Sequence, residues 1–240
     1  MSETGYRPEN SSPVLAERSR EGEHTLHFTV WAVLARTEVR EHSEADASAF
    51  EAAAGELADG VTLRGVYDVS GMREDADLML WLHGSSFESL QAALRTLRRT
   101  ELLAGTDLAF SFFGVHREAE FAKDHSPAFA RGTEAGEWLT VYPFVRSYDW
   151  YMLDAKERGK MLRDHGILGR DFPTVQANTV ASFALGDWEW IIALEAPEVI
   201  DLVDMMRHLR YTEARNHVRE EVPFYTGRRI SALEAVEVLA

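Results

Sequence analysis

Three kinds of side chain in the second half of the chain could do chemistry: one histidine, one tyrosine and a group of arginines. His165 follows Met161 and Leu162 by four and three residues, which sets its ring beside the apolar face of a helix read from Asp154 to His165. Asp154-Ala-Lys-Glu157 has capping-box spacing, and Gly166 stands where a left-handed residue would close that helix. An imidazole in a last helical turn has two uses. It can hold a metal, a positive partner that the helix dipole favours, or it can cap the free carbonyls.

In the strand read over Trp138–Arg146, the even positions Trp138, Thr140, Tyr142, Phe144 and Arg146 share a face. Tyr142 and Arg146 then stand roughly 13 Å apart, at ~3.3 Å per residue. A phenol and a guanidinium opening on one cavity suit a large acidic ligand with an aromatic body. The plainer reading is a core ring and an arginine at the rim. Arg207, Arg210, Arg215 and Arg219 fall on one helix predicted over Pro197–Arg219. Arg210 and Arg215 are about 140° apart around it, and the plain reading of the cluster is a solvated face.

The other histidines carry little. His24, His27, His42 and His83 lack ligand spacing. His116 and His125, like His208 and His217, are nine residues apart, which matches no zinc motif. No nucleophile elbow, P-loop or dinucleotide fingerprint is present, so hydrolase, NTPase and NAD-dehydrogenase readings have no support.

The elements that must position these residues follow from periodicity. Strands are predicted at 26–35, 61–69, 77–83 and 108–115, with helices at 43–57 and 86–99, giving β-α-β-β-α-β. The second half repeats that order: the strand 138–146, the helix 154–165, a hairpin of 175–183 and 188–194 across Gly186-Asp187, the helix 197–219 and a last strand 223–230. The fold class expected is therefore α+β, with two ferredoxin-like units combining as a dimeric α+β barrel around a shared cavity. The units run 24–115 and 138–230. A mobile arm (1–23), a polar connector (116–137) holding His125, Pro127 and Arg131, and a tail (231–240) complete the division.

The chain has 240 residues, 45% hydrophobic and 27% charged, enough for a large core. It has no cysteine, which removes disulfides, thiolate metal sites and cysteine nucleophiles and fits a reducing compartment. The formal charge of −15, divided −10 over residues 1–136 and −5 over 137–240, argues against a nucleic-acid partner. No apolar run approaches the ~20 residues of a membrane span, and the polar start has no signal-peptide core, so a cytoplasmic protein is expected.

The second half resembles a known family, the coproheme decarboxylases, relatives of the chlorite dismutases, in their actinobacterial branch. The resemblance rests on Tyr142-Pro143-Phe144-Val145-Arg146, on His165-Gly166-Ile167-Leu168-Gly169-Arg170, on Trp188-Glu189-Trp190 and on Met206-Arg207-His208-Leu209-Arg210-Tyr211. It covers most of residues 25–230 and agrees with the doubled ferredoxin-like order. It implies His165 as the ligand of a haem iron, Tyr142 as a redox-active tyrosine beside a reacting propionate, and His125 as the base that manages the peroxide proton. Arg146, Arg215, Arg131 and Arg210 are implied as propionate holders. Pro143, Phe144 and Val145 are implied to flank the substrate, Trp150 to share oxidising equivalents, and Asn178 to stand where another branch has a distal glutamine.

The implied reaction converts Fe-coproporphyrin III (coprohaem) to haem b. Two propionates become vinyls at the expense of two hydrogen peroxide molecules, through a three-propionate intermediate resembling harderohaem. The resemblance further implies a homopentamer and transient contact with a coproporphyrin ferrochelatase. The alternatives are a chlorite dismutase or haem peroxidase of the same superfamily, and a non-catalytic haem carrier or sensor. A distal arginine of the kind chlorite-splitting members use is not found at the matching position.

Overall fold

The computed structural model describes residues 26–58, 60–116 and 126–240. The arm at 1–23 and His125 lie outside the described residues.

The first unit runs β1 (Phe28–Arg36), α1 (Glu44–Gly55), β2 (Val61–Asp68), β3 (Leu78–Gly84), α2 (Phe87–Leu97) and β4 (Thr106–Val115). The second runs β5 (Trp138–Arg146), α3 (Ala155–Gly169), β6 (Gln176–Ala181), β7 (Trp190–Ala196), α4 (Val199–Leu209), the short β8 (Val218–Glu220) and β9 (Tyr225–Ile230). A last helix, α5, covers Ala232–Leu239. Local chemistry sets several starts. Ser43 and Asp46 form a capping box at α1, Ser231 and Glu234 another at α5, and the Ser86 hydroxyl accepts from the Ser89 amide at α2.

Each unit pairs its strands antiparallel in the ferredoxin-like order, β4-β1-β3-β2 in the first and β9-β5-β7-β6 in the second. The sheets join at two seams. β2 meets β9 through Val66–Ile230, Tyr67–Arg229 and Asp68–Arg228, and β4 meets β6 through Val115–Ala181. Eight strands therefore close into a ring, with β8 added to β5. Each seam is crowded at a glycine. A Cβ on Gly114 would come 2.2 Å from Val180 Cγ2, and one on Gly227 would come 2.5 Å from the Asp68 carbonyl oxygen.

Alternation along the strands gives the sheets two apolar faces. Trp31, Tyr67, Trp81, Phe112, Val141, Ile191 and Tyr225 fill the interior of the ring. The space between the sheets is filled by these side chains. A buried ion pair crosses it: Arg64 of β2 reaches Glu195 of β7 at 2.9 Å. Glu195 also accepts from Asn178 Nδ2 and the Gly136 amide, while Arg64 donates to the carbonyls of Thr133 and Glu134. The outer face of the first sheet packs Leu78, Leu80 and Leu82 under α1, α2 and α5.

Three expectations are corrected. The segment expected as a C-terminal tail, 231–240, holds a helix, because α5 packs Ala235 and Leu239 fully buried against the first unit's core. Helix α3 does not end at His165. It runs on to Gly169, and Gly166 is helical, because glycine permits but does not impose the left-handed state. The helix expected over 197–219 stops at Leu209. The chain then turns and re-forms as a short 3-10 helix, Glu213–His217, so the four arginines do not share one helix.

Candidate functional site

The outer face of the second sheet opens into a cleft. Tyr142, Phe144 and Arg146 of β5 and Ile192 of β7 form a floor, and α3, α4 and the turn 210–221 form the walls. The cleft between them holds about 540 Å³, counting its open mouth. The face shared by even positions of β5 is thus the cleft face, with Trp138 in the apolar layer beside it.

His165 projects from α3 into this cleft beside Leu162. Its Nδ1 lies 3.2 Å from Thr212 Oγ1, and Thr212 itself donates to the Leu209 carbonyl at 2.9 Å. The threonine hydroxyl has one proton and has spent it, so toward the histidine it can only accept. Nδ1 therefore carries the proton and Nε2 keeps its lone pair. Burial, then the nearby Arg146 charge, hold the imidazole below its ordinary pKa despite an opposing pull from Glu221. The ring is neutral, as a metal ligand must be.

Tyr142 is almost wholly buried. Its ring stacks on Phe224 at 4.3 Å and its hydroxyl contacts Met206 Sδ at 3.4 Å. Burial and then the Glu221 charge push the phenol well above its usual pKa, against the opposing pull of Arg210 and Arg215, so it stays protonated. Arg146 lies with its guanidinium 4.2 Å over Trp150 and 4.9 Å over Phe144. Among the described residues it makes no side-chain ion pair, and burial lowers its pKa to about 10, still charged at neutral pH. Arg210 and Arg215 both contact Glu221 Oε2, at 2.7 and 3.3 Å.

The structure thus brings Tyr142, Phe144, Arg146, His165, Arg210 and Arg215 to one cleft, with Trp150 buried beneath Arg146. Others go elsewhere. Asn178 is fully buried on the opposite face, accepting from the Phe129 amide and donating to the Ala193 carbonyl and Glu195. It is a structural ligand of the ring interior and does not line the cleft. Arg131 is exposed and donates to the Ser126 carbonyl, also away from the cleft. Pro143 and Val145 alternate away from the cleft face of β5 and are absent from its lining. The sequence reading missed Thr212, Met206, Glu221 and Phe224, whose types and spacing carry no signal of their own.

Two joined ferredoxin-like sheets with a cleft on the second, lined by a neutral imidazole and three guanidinium groups of which Arg146 makes no ion pair among the described residues, suit an anionic ligand. Comparison with known proteins makes the class specific. The chlorite dismutase family model matches residues 40–230, and the chain belongs to that family. A coproheme decarboxylase of Mycolicibacterium smegmatis is 54% identical over 173 residues, covering 72% of this chain and 75% of that protein. A coproheme decarboxylase of Staphylococcus carnosus is 24% identical over 178 residues, 68% of this chain and 71% of that one. A structure of the chlorite dismutase of Candidatus Nitrospira defluvii superposes with a TM-score of 0.77 at 16% identity, covering 92% of this chain and 98% of that one.

Proposed function

We propose that the chain binds Fe-coproporphyrin III in this cleft and decarboxylates two of its propionates with hydrogen peroxide, giving haem b. The observation that carries the reading is the joint lining of the cleft: a neutral imidazole with Nε2 free, a protonated phenol and three guanidinium groups around an apolar floor. Among the described residues no group of three or more metal-ligating side chains occurs. A lone imidazole fits an iron that brings its own four equatorial nitrogens.

In this reading His165 Nε2 ligates the iron, and Thr212 fixes the ring that does so. The bound iron porphyrin supplies the peroxide chemistry. Arg146, Arg210 and Arg215 hold carboxylates by charge-assisted hydrogen bonds, and Arg146 has the freest guanidinium to offer. Tyr142 holds its phenolic proton beside the arginines, where a propionate would lie. It can give up an electron and a proton together, which phenylalanine cannot. His125 takes and returns the peroxide proton. Two propionates must visit Tyr142 in turn, so the substrate reorients or shifts in the cleft between the two steps. The 54% identical coproheme decarboxylase supports this assignment over chlorite dismutation. Among the described residues no helix is long and apolar enough to cross a membrane.

The test is to load purified protein with ferric coproporphyrin III, add hydrogen peroxide and follow the porphyrin by mass. Two successive losses, each of one carbon dioxide and two hydrogens, are expected. Tyr142→Phe should bind the substrate and lose decarboxylation by at least about two orders of magnitude. Binding without mass change in the unaltered protein would leave a carrier, and oxygen release from chlorite would favour a chlorite dismutase.

A further inference from the structure

The cleft holds two kinds of carboxylate position in unlike states. At one, the Arg146 guanidinium lies over Trp150 and, among the described residues, makes no side-chain ion pair, with the Glu189 carboxylate acting on it only from a distance. At the other, Arg210 and Arg215 are already engaged, and the anion is the protein's own. Glu221 follows β8, its side chain is only 15% exposed, and its Oε2 takes both arginines. All three side chains line the cleft together with Tyr142.

We propose that Glu221 is a resident competitor that occupies one propionate position until the substrate displaces it. The inference rests on the porphyrin reading of the cleft. Arg210 caps the end of α4 and Arg215 sits in the 3-10 turn, so two separate segments are held in place by one carboxylate. A ligand that brings a carboxylate to that end exchanges it for Glu221 one for one, with no guanidinium left unpaired. A ligand without a carboxylate there leaves the Glu221 pair intact and gains nothing from the two arginines. The exchange makes Glu221 a specificity-determining residue: it lowers affinity for every ligand that must displace it and keeps the arginines ordered in the meantime.

The experiment measures ferric coproporphyrin III binding by absorbance titration to the unaltered chain, Glu221→Gln, Glu221→Ala, the pair Arg210→Gln/Arg215→Gln, and that pair combined with Glu221→Gln. Thermal unfolding of each variant shows which remain folded, and either Glu221 variant suffices. Removing the competitor should tighten binding about tenfold, which is about 1.4 kcal/mol. That gain should vanish in the arginine-less background. Equal or weaker binding by folded Glu221 variants would overturn the proposal and leave Glu221 as a brace for the arginines, with the functional reading untouched. No binding by the unaltered chain would overturn both.

Discussion

Thr212 decides which nitrogen of His165 faces the cleft, because its single proton goes to the Leu209 carbonyl. Thr212→Val keeps the shape and removes the acceptor. The Nε2–H form of the ring then competes, and ¹⁵N spectra of the ligand-free protein should show His165 leaving the Nδ1–H state. Affinity for iron porphyrin should fall roughly tenfold or more, with Thr212→Ser retaining both properties. An unchanged tautomer in the valine variant would remove this role. Spacing set His165, Tyr142 and Arg146 on their faces, since strand alternation and helix position need only the local sequence, but it left their use open, and the roles came from the resemblance. Thr212 and Glu221 were not, because their partners lie across the fold. Asn178 was matched only by alignment, which does not give its face: it shares an orientation with Val180, inside the ring, and a shift of one residue in a strand exchanges the two faces.

Among the elements, β5 was legible to its ends, because alternation of apolar and chemical residues survives burial on both faces. Helix ends were less so. Nothing local stops α4 at Leu209, and the Thr212 hydroxyl that meets its last carbonyl is also tied to another helix. The connector was expected to be irregular. Its described part is pinned through Asn178, Glu195 and Arg64 to three different strands. Glu195→Gln would leave Arg64 buried without its counter-charge, and a loss of about 3–5 kcal/mol is expected. Urea unfolding should show it as a lower midpoint at constant slope. Replacing both partners by methionine should recover much of the loss, and a Glu195→Gln protein as stable as the parent would mean the pair contributes nothing net.

For the whole molecule, the doubling seen in element order is borne out by geometry. Gly114 pairs with Thr29, the second residue of β1, and Gly227 pairs with Leu139, the second residue of β5. Each sits where one unit's fourth strand meets the other unit, and no sequence repeat announces the match. Alanine at either position should destabilise by about 1–3 kcal/mol. Gly227→Ala should be the worse, since its obstacle is backbone rather than a side chain. Gly166→Ala, with nothing within 4 Å and helical geometry, should instead raise the melting temperature. Equal melting temperatures for all three would discard the crowding argument.

The placement of α5 has a consequence for the order of events at the ribosome. Phe50 and Ala47 of α1 are emerging from synthesis well over a hundred residues before the helix that covers them. Until residues 232–239 have been made, that apolar patch lacks the part of its cover that α5 supplies, however early its own strands pair. The unit away from the described cleft is translated first and finished last, and a chaperone that binds the nascent chain would find its target there.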